Sequence, residues 1–245
     1  MTLKSGLKAV TPDWVFRTRE RYRANRAGRR FASMSTPDIF ESIYQEGLWG
    51  AHPDGDLSSG RGSHDEVIVV PYVAAVRDFL TSLGPVDVVD LGCGDFNVGS
   101  QVRDACGAYV ACDVAASVIA RNREKFADLD VDFRVLNMLE DPLPEGDVVF
   151  IRQVLQHLSN DQIAQVLPRL GQYRWAVITE HLPSDGQFVP NLDIIPGPGI
   201  RTQVRSGVVL DEPPFELTYA AARELCVVEH NEGTITTTAY EFTGR

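Results

Sequence analysis

Val88 to Phe96 reads VVDLGCGDF. An apolar run of strand character meets an acid, Asp90, and then two glycines, Gly92 and Gly94, on either side of Cys93. Glycine adopts φ > 0 without strain and lets a backbone approach a ligand closely. In an open parallel sheet, ligands sit at the carboxyl ends of the strands, where such turns lie. A second apolar run, AYVACDV, carries Asp113 near its end, 19 residues beyond Gly94. A carboxylate there can accept both hydroxyls of a ribose, so the two features together read as recognition of an adenosine. A pyrophosphate is disfavoured. Asn97 stands where G-x-G-x-x-G has its third glycine, Gly99 comes two residues late, and Asp90 and Asp95 would repel a polyanion. These acids suit a ligand whose polar end is cationic, held directly or through water.

Working outward, SHDE (Ser63 to Glu66) has the capping-box pattern. Val69, Tyr72, Val73, Val76, Phe79, Leu80 and Leu83 then recur at helical spacing, with Pro71 marking a kink or the true start. Asn97 to Cys106 and ASVIARNREKFA suit helices, VDFRVLNM and GDVVFIRQ suit strands. SNDQ (Ser159 to Gln162) is a second capping-box candidate, opening IAQVLPRL, and RWAVITE is a further strand. Alternating strands and helices predict an α/β fold with a parallel sheet covered on both faces. Near the end, ELCVVEH and TITTTAYEF flank NEG, a hairpin signal, so an antiparallel pair closes the sheet. Residues 1–64 read as an N-terminal extension or cap, and 65–245 as the main domain. Between Glu180 and the hairpin lie roughly 40 residues rich in Pro and Gly. Loops longer than about 15 residues are uncommon unless functional, so the segment of about 181–222 reads as a substrate lid.

A chain of 245 residues, 44% hydrophobic and 23% charged, is ordinary for a soluble globular protein. No apolar run approaches the ~20 residues of a membrane span, and MTLKSGLKAVTPDW lacks the apolar core of a secretory signal. The expected location is the cytoplasm, without a membrane partner. Cys93, Cys106, Cys112 and Cys226 are scattered, as reduced and mostly buried thiols would be. The histidines are equally dispersed, and no metal site is expected. Net charge is −11, yet residues 1–35 hold nine Lys/Arg against Asp13 and Glu20. The acidic remainder disfavours nucleic acid as the main partner. The basic arm, RTRERYRANRAGRR, reads as a solvated helix or an arm packed on the acidic body, of this chain or of a second subunit in a homo-oligomer.

VVDLGCGDF, with Asp113 and with LNMLEDPLPEGDVVFIRQVLQHLS, resembles the class I S-adenosylmethionine-dependent methyltransferases over about residues 65–245. The resemblance implies a Rossmann-like seven-stranded sheet, mostly parallel, with a C-terminal antiparallel hairpin. It implies S-adenosylmethionine as cofactor. Asp90, Gly92, Cys93 and Gly94 would bind its amino acid part, and Asp113 its ribose. Asn137 and Met138 would flank adenine, Asn137 standing where an Asp is frequent, and Arg152 and Gln153 would line the cofactor and substrate cleft. FESIYQEGLWG, SSGRGS, NLDIIPGPGIR and PPFEL look like a bacterial small-molecule subgroup, some of whose members accompany glycan or secondary-metabolite genes.

Methyl transfer is an in-line displacement in which the protein supplies alignment and desolvation. A hydroxyl acceptor gains from a general base, for which histidine is suited near neutral pH. His181, directly after the fifth strand, is the first candidate as base or substrate ligand, and Glu180 can share its role or simply end the strand. His157 is the third candidate, or a packing residue of its turn. His64 at a helix start can enter the site. Asp193, Arg201 and Phe215 of the lid are substrate-binding candidates: Asp for a hydroxyl or amine, Arg for a carboxylate or phosphate, Phe215 as a pocket wall. An internal salt bridge and a lid anchor are the alternatives. SGRGS can act as a cofactor lid, an anion-binding helix start or a linker, and Tyr44 and Trp49 can cover the cofactor or pack the extension on the core. The function expected is methylation of a small molecule, on oxygen of a sugar or secondary metabolite, with nitrogen as the alternative acceptor atom. A nicotinamide-dependent oxidoreductase and a catalytically idle binding module are the rivals.

Overall fold

The computed structural model describes residues 18, 28–50, 56–184, 188–231 and 233–243. Most of the basic arm and His52 lie outside these residues. Seven strands form one sheet: β1 (Val88–Leu91), β2 (Tyr109–Asp113), β3 (Asp132–Val135), β4 (Val148–Arg152), β5 (Trp175–Pro183), β6 (Ala221–His230) and β7 (Gly233–Glu241). Their order is β3-β2-β1-β4-β5-β7-β6. β1 to β5 run parallel, and β7 lies antiparallel between β5 and β6. The mostly parallel sheet and closing hairpin expected from the sequence are therefore present. His230 pairs with Gly233 across the hairpin turn, where Asn231 takes φ +54°.

From β1 the chain steps to β2 and β3 on one side, then returns to β4 on the other. This reversal opens a crevice above the carboxyl ends of β1 and β4, the usual ligand position in such sheets. β1 is buried along its whole length, as a strand covered on both faces must be.

Among the described residues the α-helices that accompany the sheet are α1 (Thr36–Gln45), α2 (Glu66–Leu83), α3 (Ala116–Lys125) and α4 (Asn160–Val166). α4 begins with the capping box read from SNDQ, Ser159 and Gln162 satisfying each other's backbone. α2 is capped by Asp65, not Ser63; the Asp65 side chain accepts from Val67 N at 3.1 Å. Pro71 lies inside α2 without ending it, and the carbonyl it leaves unbonded belongs to solvent-facing Val67.

The helix expected over 97–106 does not form. Two 3₁₀ turns, Gly99–Gln101 and Arg103–Ala105, replace it. The Asn97 carbonyl is taken by two side chains, Ser100 Oγ at 2.9 Å and Gln101 Nε2 at 2.9 Å, while Gln101 N bonds to Val98 O. Side-chain bonds to a local carbonyl compete with α-helix formation.

Phe31, Ile39, Phe40 and Ile43, all before residue 64, belong to the same apolar core as Val89, Val149 and Ile178 of the sheet. α1 presents Ile39, Phe40, Ile43 and Tyr44 on one face, the spacing of an amphipathic helix. Ile43 is fully enclosed. Ile43→Ala is expected to cost about 2–5 kcal/mol in one cooperative urea transition. Two transitions, with that of the sheet unmoved, would show that the extension folds apart.

Candidate functional site

The crevice above β1 and β4 is a cleft of about 1040 Å³ of atom-free space, counted to its open mouth. Its floor is the turn after β1. Gly92 has φ +82° and Gly94 φ +56°, and a Cβ on Gly92 would meet Val154 Cγ2 at 2.5 Å. Only backbone fits here, so the chain passes bare under whatever the cleft holds. Phe96 follows at φ +59° although bulky. Its ring is gripped edge-on by Tyr109, Phe126 and Phe133, packing that holds a backbone conformation costly for such a residue.

Three acids surround the turn. Asp113 Oδ2 accepts from Gly94 N at 3.0 Å and Oδ1 from Ala115 N at 2.9 Å. An ionised carboxylate has about four acceptor sites, so each oxygen retains capacity for a ribose hydroxyl. Asp90 accepts from Tyr109 Oη at 3.0 Å. Burial pushes Asp90 up to about 7 and Asp113 to about 6. Asp95 serves structure. Its Oδ2 accepts from Ser59 N at 2.7 Å and contacts His64 Nε2 at 2.6 Å, and its own N–H donates to Ser59 Oγ. Asp95 thus fastens the SGRGS segment over the glycine turn, and His64 is its partner.

All nine residues assigned to the cofactor line this one cleft: Asp90, Gly92, Cys93, Gly94 and Asp113 at the floor, Asn137 and Met138 beyond β3, Arg152 and Gln153 at the end of β4. Arg152 lies 4.8 Å over the Tyr72 ring and donates to Gly62 O at 2.7 Å. Its Nε, and Gln153 Nε2, are buried donors without a partner. Such groups are costly unless something accepts from them. A backbone floor, a strand-end carboxylate and two unpaired donors fit S-adenosylmethionine, whose adenosine and amino acid ends need those contacts.

A second wall of the cleft was largely unforeseen from the sequence. It is built by Thr36, Phe40 and Tyr44 of α1, by Trp49, and by His157 and Leu158 after β4. The Phe40–Tyr44 spacing on one helix face was the available signal. Tyr44 and Trp49 pack on the core, as one of the two readings had it, and also line the cleft.

Of the three base candidates, only His157 lines the cleft. Its Nδ1 lies 3.1 Å from both Gly197 O and Gly199 O. Two carbonyls require a proton on Nδ1, which leaves the lone pair on Nε2. Burial holds the ring down at about 4, against the opposing pull of those carbonyls, so His157 is neutral at physiological pH. His181 is elsewhere. β5 runs on to Pro183, so His181 is a mid-strand residue paired with Ile235 of β7, its ring beside Gly233 and 5.7 Å from His230. Glu180 points to the opposite face, because side chains alternate along a strand. It is enclosed, and burial raises its carboxyl to about 8 although Arg201 and the Leu155 and Gln156 amides pull it down. None of these donors reaches hydrogen-bonding geometry with it.

The substrate candidates of the lid also lie outside the cleft lining. Asp193 accepts from Asn160 N at 2.8 Å. Arg201 is wholly buried and donates to Leu158 O at 2.7 Å and to Leu192 O. Phe215 packs part-buried against the core beyond the cis Pro213–Pro214 bond. Each holds its own segment in place, an internal role that sequence could not separate from a substrate contact. Among the described residues no cluster of His, Cys, Asp and Glu could hold a metal ion, and no helix is long and apolar enough to cross a membrane.

This sheet order and cleft are those that the resemblance to class I S-adenosylmethionine-dependent methyltransferases implied. Residues 89–173 match the family model described as a methyltransferase domain. Uncharacterized methyltransferases of Mycobacterium tuberculosis and Mycobacterium bovis are 28% identical over 99 residues, 40% of this chain. The chain matches about half (49%) of the length of these curated relatives. Among solved structures, the N-methyltransferase NodS from Bradyrhizobium japonicum WM9 with S-adenosyl-L-homocysteine aligns over 83% of this chain and 99% of its own, at TM-score 0.57 and 14% identity. The DhpI–S-adenosylhomocysteine complex aligns over 86% and 99%, at TM-score 0.51 and 17% identity. At these identities the likeness concerns the fold.

The buried carboxyls predict an unusual pH dependence of stability. Asp90, Asp113 and Glu180, at about 7, 6 and 8, hold protons in the fold that the unfolded chain has released. Their stabilisation is full below the unfolded values near 4 and is lost as pH rises through 6 to 8. His157, at about 4, acts oppositely but only below its unfolded value of about 6.5. Urea unfolding between pH 7 and 8.5 should therefore show stability falling with pH, with a shallower fall in Glu180→Gln.

Proposed function

We propose that this protein transfers a methyl group from S-adenosylmethionine to an oxygen of a small-molecule acceptor. The observation that carries this reading is His157: a neutral imidazole, its tautomer set by two carbonyls, lining the same cleft as the glycine turn and Asp113. Bound across that turn, the cofactor supplies a sulfonium methyl group for in-line displacement. Asp113 would hold the ribose hydroxyls, Asn137 and Met138 the adenine, and Asp90 with Arg152 and Gln153 the amino acid end. His157 Nε2 would receive the acceptor's hydroxyl proton. A base titrating at about 4 does not make a free alkoxide near neutral pH, but it need not. An oxygen gaining a methyl group becomes strongly acidic, so its proton can pass to a weak base as the O–C bond forms and the S–C bond breaks. Water is kept out by Trp49 and the SGRGS segment, which Asp95 fastens down. An oxidoreductase reading is not supported by the acids flanking the turn, and the two unpaired donors in the cleft argue against an idle module.

We place the reaction in the cytoplasm, supported by four unpaired cysteines, and assign any self-association to the basic arm. The test is single-turnover transfer from methyl-labelled cofactor into a library of hydroxylated small molecules. An active acceptor is expected to lose 10²–10⁴-fold in rate with His157→Ala, while S-adenosylhomocysteine still binds. The wild-type rate should be flat in pH above about 5 on this histidine's account. An undiminished rate in the variant would remove His157 from the chemistry.

A further inference from the structure

The cleft wall built by α1, Trp49 and His157 is specific about what it can accept. We infer that the acceptor is an uncharged aromatic alcohol, a phenol, seated with its ring against Trp49 and its hydroxyl at His157 Nε2. This deepens, and rests on, the methyltransferase reading.

Trp49 is the centre of an aromatic group. Its ring centroid lies 4.9 Å from His157, 5.3 Å from Tyr44 at 89°, and 6.1 Å from Phe40. The polar atoms of these rings are turned to the protein. Trp49 Nε1 donates to Pro198 O at 3.1 Å, Tyr44 Oη bonds to Ser59 Oγ at 3.1 Å, and His157 Nδ1 is held by Gly197 and Gly199. Ring faces and edges remain, and these favour a flat apolar partner stacked or edge-on. The ring of this wall that still offers a lone pair is His157, at Nε2, matched to one hydroxyl. Gln156 Nε2 approaches that atom at 3.4 Å, too long to occupy it firmly.

Other acceptor classes lack their partners here. A carboxylate needs a cation, but Arg152 gives two nitrogens to Gly62 O and Ser63 Oγ and its remaining Nε is assigned to the cofactor's amino acid end, and Arg201 is enclosed away from the cleft lining. An ammonium needs a free carboxylate, yet Asp90 and Asp113 are assigned to the cofactor, Asp95 is held by Ser59, His64 and Asn97, and Glu180 and Asp193 do not line the cleft. A sugar brings several hydroxyls, each costly to desolvate without a bond. Besides the lone pair of His157, this wall offers the hydroxyls of Thr36, which accepts from Gln162 Nε2 at 2.9 Å, and of Tyr44 and Ser59, which bond each other, Ser59 also accepting from Asp95 N. In the transfer, the phenol oxygen forms the bond to the methyl carbon, the methyl–sulfur bond breaks to leave S-adenosylhomocysteine, and the hydroxyl proton goes to His157 Nε2.

The experiment is a tryptophan-fluorescence titration of the full chain holding S-adenosylhomocysteine, with 1-naphthol, 4-methylphenol, benzoate, methyl glucoside and ethanolamine as probes. A rise in melting temperature with S-adenosylhomocysteine is recorded first for wild type, Trp49→Ala and Trp49→Phe, and shows each to be folded and cofactor-competent. The two phenols should bind at least tenfold tighter than the other probes. Trp49→Ala should lose at least tenfold of phenol affinity, followed by competition or calorimetry, and Trp49→Phe should restore most of it. Phenols binding no tighter than the glucoside, or unchanged in Trp49→Ala, would overturn the acceptor class and leave the methyltransferase reading standing. No rise in melting temperature for the wild type would overturn both.

Discussion

One carboxylate ties the end of β2 to the turn after β1, and the cleft depends on that tie. Asp113 accepts from Gly94 N and Ala115 N, so the backbone of the glycine turn is fixed against the strand to which the ribose contact is assigned. Asn122 Nδ2 completes the clamp from α3 by donating to Gly94 O at 2.7 Å. With both polar groups of Gly94 satisfied by side chains, the turn can face a ligand without seeking partners of its own. The same carboxylate is buried enough to be drawn toward protonation, and further hydroxyl donors would favour its ionised form. The site's electrostatics and its architecture are thus one arrangement.

Around that clamp two segments distant in sequence meet. The N-terminal extension brings α1, Trp49 and the Ser59 loop; the segment before β6 brings Gly197 to Gly199. They join at Trp49, which donates to Pro198 O, and at His157, whose Nδ1 faces Gly197 O and Gly199 O. Gly197 N in turn donates to His157 O at 3.2 Å. The imidazole tautomer therefore depends on the return segment being in place. Arg201 and Asn191 hold that segment from within, Asn191 through bonds to Val209, Glu212 and Pro213. The lid read from sequence is a folded wall whose charged residues serve its own order.

What was legible in the sequence follows physical range. Strand runs, the glycine turn, Asp113 and the SNDQ cap are local signals, and the structure shows them as read. The nine residues assigned to the cofactor line one cleft because each lies near the carboxyl end of a strand or just beyond it, positions that the sheet order makes convergent. The proposed base could not be chosen this way. Glu180 and His181 are adjacent in sequence, yet strand alternation and two further residues of β5 send them to opposite faces, neither of them the cleft. His157 was chosen by contacts some 40 residues away in sequence. The aromatic wall needed the docking of α1, and the failed helix after Asn97 needed the competing side-chain bonds of Ser100 and Gln101.

The central claim is that Asp113 and the glycine turn form an adenosyl site. It is tested most directly by calorimetric titration of wild type and Asp113→Ala with S-adenosylhomocysteine, and of wild type with NADH. The expected result is micromolar binding of S-adenosylhomocysteine by wild type, a loss of at least tenfold in the variant, and no binding of NADH. NADH binding, or S-adenosylhomocysteine binding unchanged in a folded Asp113→Ala, would contradict it.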